Sequence, residues 1–340
     1  MKNTPEISTF SKISRFVGTF MLFRALLTRT PAHAGEKPLA QKTKQKTERW
    51  SWPICGQLLN MIRASFLASA LMVIQGCSPA GNIEQTTPQK FDYSAKAADW
   101  PKCDQPRPAK GTEIPATGKK MKTAGDIPFF VKVPENYDPT IAHPLLVLYA
   151  PGGQSAAQTD RYYKISGEAT GRGFIVAVAR DKRPAIEALE DLGTIPDQLA
   201  SEFCINKKRV YATGHSNGGL VSNAVAFLPK LHNKFTAIAP SAGGIRKKDI
   251  TEYKCPKPMS VMVLHNTGDT YFPRPEHGQG VAEYWAKCNG CNPTSVPTKI
   301  KGCVAYPACK SNVTTLYCEG PGGHSRWPDK NKEILDFFSN

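Results

Sequence analysis

The stretch that decides the fold reads RVYATGHSNGG at residues 209–219. Its first five residues have the composition of a buried strand, and an apolar helical stretch follows at 217–229. A G-x-S-x-G sequence between a strand and a helix forms a sharp turn that lifts its serine above the sheet. A Cβ at position 214 or 218 would collide with neighbouring backbone in so tight a turn. The stretch therefore predicts that Ser216 is an exposed nucleophile.

Short apolar runs recur along the chain, which is typical of strands buried on both faces of a parallel sheet. They lie at residues 129–133, 144–150, 174–179, 209–213, 235–239 and 260–265. Helical stretches lie near residues 161–172, 193–205, 217–229, 279–288 and 330–339. This alternation predicts an α/β fold, with a doubly wound, mostly parallel sheet and helices on both faces.

An elbow serine on such a sheet is the arrangement of the α/β-hydrolase fold. In that fold an acid and then a histidine follow the serine along the chain, each in a loop after a strand. Asp269 follows the strand candidate at 260–265, and His324 follows a last candidate at 315–318. The order and the context predict a triad of Ser216, Asp269 and His324.

Each triad member has a distinct predicted role. A serine alone is a weak nucleophile, so His324 removes its proton, and Asp269 fixes the imidazole tautomer and stabilises the imidazolium. His277 follows Asp269 closely and stays open as an alternative histidine. We predict one α/β-hydrolase catalytic domain over residues 113–340.

Composition narrows the class of protein further. The chain has 340 residues, of which 40% are hydrophobic, and a net charge of +16. Disorder throughout, a collagen-like repeat and a multi-span membrane protein are excluded. Half of the charge excess, eleven basic against three acidic residues, lies in residues 1–76. The remainder is dispersed without a nucleic-acid-binding motif, so we expect no nucleic-acid partner.

The front of the chain has the pattern of a targeting segment. Residues 61–76 combine a start residue, one positive charge and an apolar stretch, and Ile74-Gln75-Gly76-Cys77 resembles a bacterial lipoprotein signal box. We expect a lipoprotein signal at 61–76, a lipid anchor on Cys77 that binds the membrane, and a cell-surface or secreted protein.

Two further expectations concern this region. Residues 1–60 are expected to be an upstream extension that is not part of the mature protein. A rival signal lies at 16–27, followed by an A-x-A site at 32–34. Residues 77–112 are rich in Pro, Gly, Ser, Thr, Gln and Lys and are predicted to be a flexible tether.

Cysteine usage supports export. Besides Cys55 and Cys77, the chain has an even set of eight cysteines, at positions 103, 204, 255, 288, 291, 303, 309 and 318. In an exported chain such a set predicts disulfides, although the sequence leaves the pairing open. Cys288 and Cys291 form a lone C-x-x-C without a second pair at zinc spacing, so we favour disulfides over a metal site. We expect no metal and no cofactor.

The body resembles a family of secreted esterases that includes polyhydroxybutyrate depolymerases, feruloyl esterases and acetylxylan esterases. The resemblance covers most of residues 125–330. The main matches are the elbow, the His265-x-Thr267-x-Asp269 segment, and the Gly322-Gly323-His324 ending with Trp327-Pro328. Further matches lie at residues 133–137, 204–214 and 284–291. It implies hydrolysis of a carboxylic ester through an acyl-Ser216 intermediate.

The resemblance also assigns an oxyanion loop, and two departures from the family pattern bear on the site. The family usually has His-Gly where this chain has Ala150-Pro151. Because proline has no N–H, we expect Gly152 and Asn217 to supply the oxyanion donors, with Gly153 in reserve. The family also usually has Trp two residues after the catalytic histidine, where this chain has Ser325-Arg326 before Trp327, our candidate for lining the substrate pocket.

We therefore expect an exported, monomeric feruloyl or acetylxylan esterase that acts on ester groups linked to plant polysaccharides. A polyhydroxybutyrate depolymerase is the alternative within the same resemblance, and a peptidase on the same fold ranks lower. A non-catalytic, polymer-binding surface lipoprotein is the alternative from a different class. Retention of all three triad residue types argues against that last interpretation.

Overall fold

The computed structural model describes Tyr93, residues 97–107 and residues 118–339. The strands of this part of the chain are β1 (Lys119–Lys122), β2 (Pro128–Lys132), β3 (His143–Tyr149), β4 (Ile175–Ala179), β5 (Ile205–His215), β6 (Ala237–Ser241), β7 (Ser260–Asn266), β8 (Val296–Pro297), β9 (Cys303–Tyr306) and β10 (Thr315–Gly320). They form one sheet in the order β1-β2-β4-β3-β5-β6-β7-β10-β9-β8.

The middle of the sheet is parallel. The six central strands, β4, β3, β5, β6, β7 and β10, run in the same direction. The two strands at each edge are antiparallel to their neighbours. Every residue of β3 and β4 is buried, because helices cover both faces of the sheet there. The carboxyl ends of the central strands therefore meet at one edge, where their loops can share a site.

Helices pack on both faces of this sheet. They are α1 (Ala156–Tyr163), α2 (Ser166–Gly171), α3 (Ile186–Leu192), α4 (Ile195–Glu202), α5 (Asn217–Phe227), α6 (Lys247–Ile250), α7 (Gly280–Cys288) and α8 (Asn331–Ser339). Apolar side chains of α1, α2 and α8 bury against one face. Those of α3, α4, α5, α6 and α7 bury against the other face. The predicted α/β-hydrolase architecture with a mostly parallel sheet is confirmed.

One predicted helix is divided in the structure. The sequence predicts a single helix near 161–172, but α1 ends at Tyr163 and α2 begins at Ser166. Lys164 between them has a left-handed backbone with φ of 52°. Tyr163 and Ile165 are both fully buried, so the turn at Lys164 lets both side chains enter the core. The periodic spacing of apolar residues in the sequence does not show where such a turn divides a helix.

The structure also moves the predicted boundary of the domain. Residues 97–107 fall within the predicted tether, yet they pack on the body of the fold. Lys102 forms a β-bridge with Ile141, and Cys103 is bonded to Cys204. Tyr93 is buried and its ring stacks on Trp100. The other parts of the predicted tether, the signal at 61–76, the extension 1–60 and Cys77 lie outside the described residues.

The predicted disulfides are confirmed, and the structure supplies their pairing. The bonds are Cys103–Cys204, Cys255–Cys288, Cys291–Cys309 and Cys303–Cys318. Cys288 and Cys291 bond to different partners, so the C-x-x-C segment contributes to two separate disulfides. Three of the four bonds lie around β9, β10 and the end of α7, and they fasten one edge of the sheet.

Among the described residues, no helix combines the length and the apolar character needed to cross a bilayer.

Candidate active site

The predicted elbow is present between β5 and α5. Ser216 separates the two elements and has φ of 56° and ψ of −115°. A Cβ on Gly214 would lie 2.4 Å from the backbone of Gly218, and one on Gly218 would lie 2.0 Å from Tyr149 O. Real Cβ atoms do not approach backbone so closely, so both positions require glycine. The Ser216 N–H donates to Ser241 O at 3.0 Å, which joins the elbow to the end of β6.

The structure brings the three predicted side chains into one hydrogen-bonded chain. Asp269 lies three residues after β7, and His324 lies four residues after the neighbouring strand β10. His324 Nε2 is 3.0 Å from Ser216 Oγ, and His324 Nδ1 is 2.8 Å from Asp269 Oδ2. The alternative histidine, His277, instead bonds the carbonyl of Ile245 through Nδ1.

Asp269 is held as a carboxylate. Its Oδ1 accepts hydrogen bonds from the N–H groups of Tyr271 and Phe272, each at 2.9 Å. Burial works against ionisation, but the bonds from Phe272 N–H and His324 outweigh it and hold the pKa of Asp269 below its usual value. A buried anion facing Nδ1 is what an imidazole needs in order to accept a proton at Nε2.

Two further histidines, His215 and His265, are buried beside this hydrogen-bonded chain. His265 Nε2 lies 2.8 Å from Phe272 O and 3.3 Å from Asp269 Oδ2. His215 Nδ1 lies 3.0 Å from Ser241 Oγ, and its Nε2 contacts the carbonyl of His324. Burial lowers the pKa of both rings, to about 4 for His215, so they are neutral near pH 7. For His265, the feature of the sequence that could have indicated its place in the site is its spacing of four residues from Asp269.

The loop after β3 lies beside the elbow. A Cβ on Gly152 would lie 3.1 Å from Asn217 Nδ2, so the two residues predicted to supply the oxyanion donors are close neighbours. As the first residue of α5, Asn217 has an N–H without an intrahelical acceptor. Gly153, the reserve donor, has its N–H bonded to Asp181 Oδ2 at 2.7 Å. Of the two glycines, Gly152 is therefore the one whose N–H remains a candidate oxyanion donor.

A cavity of about 850 Å³ opens next to His324, and Tyr162 and Trp327 contribute to its lining. Trp327 is only 7% exposed, and its ring packs edge-on against Tyr163 with centroids 4.5 Å apart. Its Nε1 donates to Asn331 Oδ1 at 2.8 Å. The predicted pocket residue thus forms part of the cavity wall while most of its ring belongs to the core.

The sheet, the elbow and the positions of Asp269 and His324 after adjacent strands define the α/β-hydrolase class. The model of the Prolyl oligopeptidase family matches residues 166–255, about a quarter of the chain. That match includes Ser216 and stops before Asp269.

Several curated relatives carry the names of esterases. Feruloyl esterase B of Piromyces equi is 28% identical in an alignment of 233 residues that covers 59% of this chain and 43% of that protein. Feruloyl esterase C of Emericella nidulans is 23% identical, over 65% of this chain and 87% of its own length. A bifunctional acetylxylan esterase/xylanase of Neocallimastix patriciarum is 27% identical, over 43% and 22%. The predicted resemblance to feruloyl and acetylxylan esterases is confirmed. The chain spans less than half of the Piromyces protein.

Among solved structures, the acetyl xylan esterase of Aspergillus awamori has a TM-score of 0.49 and 14% identity. The superposition covers 65% of this chain and 98% of that one.

Proposed function

We propose that this protein is an exported serine carboxylic-ester hydrolase that acts on feruloyl or acetyl esters of plant polysaccharides. The observation that carries the proposal is the hydrogen-bonded chain from Ser216 Oγ through His324 to Asp269. The names of the relatives, feruloyl esterase and acetylxylan esterase, support the choice of ester.

The first half of the reaction follows from the atoms that face each other. His324 Nε2 takes the proton of Ser216 Oγ while the oxygen attacks the ester carbonyl, and a tetrahedral intermediate forms. The imidazolium that results carries its second N–H toward Asp269, whose charge stabilises it. His324 then gives its proton to the alkoxide oxygen of the leaving alcohol, and an acyl-Ser216 ester remains.

The second half repeats these transfers with water. His324 removes a proton from a water molecule, the hydroxide attacks the acyl carbon, and Ser216 Oγ leaves with the proton returned by His324. The N–H groups of Gly152 and Asn217 are proposed to stabilise the oxyanion in both halves. Every proton moves between side chains, substrate and water.

The test is hydrolysis by the full chain of p-nitrophenyl acetate, methyl ferulate, acetylated xylan, a hydroxybutyrate trimer and a peptide p-nitroanilide, with Ser216→Ala as the control. Turnover of methyl ferulate or acetylated xylan that the variant lacks supports the proposal. Preferred cleavage of the trimer would replace it with the depolymerase alternative, and cleavage of only a peptide p-nitroanilide would replace it with a peptidase. No turnover of any substrate would favour the non-catalytic, polymer-binding alternative.

Export is part of the proposal. The four disulfides are typical of proteins that mature in an oxidising compartment. The lipid anchor on Cys77 stays a prediction from the sequence, and mass spectrometry of the mature N-terminus tests it. A lipid-modified Cys77 at the N-terminus supports the anchor, whereas an unmodified N-terminus at Gly35 supports the rival signal.

A further inference from the structure

A carboxylate outside the triad binds the loop that follows β3. β3 and β4 are parallel neighbours, so the loops that leave them emerge at the same edge of the sheet. Asp181 lies two residues after the end of β4. Its Oδ2 accepts a hydrogen bond from Gly153 N–H at 2.7 Å, and its own N–H donates to Gln154 O at 2.8 Å. Asp181 thus holds two consecutive residues of the β3 loop.

The same carboxylate also reaches the elbow. Asn217 Nδ2 donates to Asp181 Oδ1 at 3.2 Å. Asn217 directly follows Ser216, and its Nδ2 is the nearest neighbour of the site where Gly152 would carry a Cβ. Asp181 therefore joins, through its two oxygens, the two segments that carry the proposed oxyanion donors.

This connection matters for catalysis because the composition of the loop after β3 leaves its backbone flexible. Gly152 and Gly153 are consecutive and exposed, and Gly153 adopts φ of 79°. Glycine restricts its own backbone least of all residues, so the direction of the Gly152 N–H depends on bonds made by its neighbours. An oxyanion donor acts fully only when it is fixed in advance about 3 Å from the developing charge.

We propose that Asp181 is a positioning residue that holds the N–H groups of Gly152 and Asn217 in the relative geometry that a tetrahedral intermediate on Ser216 requires. The inference rests on the proposed ester-hydrolase function. Asp181 acts through the loop and does not touch the substrate. The hydrogen bond from Gly153 N–H to Asp181 holds the loop in place, and the N–H of Gly152 faces the oxyanion.

The first experiment removes the carboxylate. Asp181→Ala should lower kcat for p-nitrophenyl acetate about 10- to 100-fold, while KM changes less than about twofold, because only the transition state uses the aligned donors. Affinity for a trifluoromethyl ketone that forms a hemiketal with Ser216 should fall by the same factor as kcat/KM. Binding of acetate, the product, should not change.

A conservative variant should restore the function. In Asp181→Asn, the side-chain oxygen at position 181 can still accept a hydrogen bond from Gly153 N–H. The Asn217 amide can rotate so that its oxygen accepts a hydrogen bond from the side-chain NH₂ at position 181. Asp181→Asn should therefore keep kcat within about threefold of wild type, since both links are re-formed. Asp191→Ala is the matched control. Asp191 also accepts from a glycine N–H, that of Gly125, and from a hydroxyl, that of Thr123, but it holds the β1–β2 turn.

The outcomes separate the inference from the function on which it rests. A wild-type protein without esterase activity contradicts the proposed function. An active wild type whose kcat is unchanged in Asp181→Ala, or whose Asp191→Ala loses kcat equally, overturns the inference. If Asp181→Ala does not fold, Asn217→Ala removes only the bond to Oδ1 and should itself lower kcat, and an unchanged kcat there overturns the inference as well.

Discussion

His265 and Asp269 lie four residues apart and meet side by side, with His265 Nε2 3.3 Å from Asp269 Oδ2. The same nitrogen is 2.8 Å from Phe272 O, so it carries the hydrogen and donates it to that carbonyl. His265 thus fixes the carbonyl of Phe272, whose N–H in turn holds Asp269 Oδ1. The acid of the site is fixed before substrate arrives.

The hydrogen bond from His265 to Phe272 O predicts a measurable contribution of His265 to activity. His265→Leu should lower kcat about tenfold, because the turn that holds Asp269 through Phe272 N–H loses the bond that fixes Phe272 O. His265→Gln places an amide N–H near the position of Nε2 and should retain most of the activity. Steady-state kinetics on p-nitrophenyl acetate measure both. Equal losses in the two variants would mean that the size of the ring matters and the donor does not.

Removal of the nucleophile gives the most direct result. Ser216→Ala should lower kcat at least about 10³-fold, or roughly 4 kcal/mol, because the covalent route is lost. Thermal unfolding should stay close to that of wild type, since the backbone bonds of Ser216, to Ser241 O and from Leu220 N–H, are kept in the variant. Turnover comparable to wild type would contradict the assignment of Ser216.

A substitution at Gly152 should lower activity and leave stability nearly unchanged. Gly152→Val should lower kcat by about 10²-fold, because the side chain presses on Asn217 and turns a backbone N–H away from the oxyanion. Gly152 is exposed, so the melting temperature should change little. Gly167→Val is the control, since a Cβ there meets nothing within 4 Å. If Gly152→Val loses stability as much as activity, then Gly152 is only a turn residue.

His215 should make the fold sensitive to acid. Its pKa falls from 6.5 to about 4 because burial disfavours the charged ring. Between these pH values the unfolded chain binds a proton that the folded chain does not, so the free energy of unfolding decreases as pH falls from 6.5 toward 4. The loss is about 3 kcal/mol, at 1.36 kcal/mol per pH unit.

Urea unfolding at pH 7 and at pH 4.5 measures this loss. Other buried histidines act in the same direction, so the informative quantity is the difference between wild type and His215→Gln, which does not titrate. The variant should lose less stability on acidification than wild type. Parallel losses in the two proteins would show that His215 is not the source.

The order of the site residues could be read from the sequence because each depends on local structure. A strand, a G-x-S-x-G turn and a helix are consecutive in the chain, and Asp269 and His324 each follow a strand. The role of Asp181 could not be read in this way, because a polar residue after a strand is ordinary. Its bonds to Gly153 and Asn217 exist only because three loops meet at one edge. The disulfide pairing depends on the same kind of long-range proximity.

Both edges of the sheet are built in a way that discourages association between molecules. β10, which leads to His324, is covered by β9 and then by β8, a strand of two residues that ends in Pro297. Proline offers no N–H to an incoming strand, and the Cys303–Cys318 bond fastens β9 to β10. At the other edge, β1 reads KKMK, and its long charged side chains disfavour pairing with a second copy. The protein should therefore resist aggregation through its sheet edges even at high concentration.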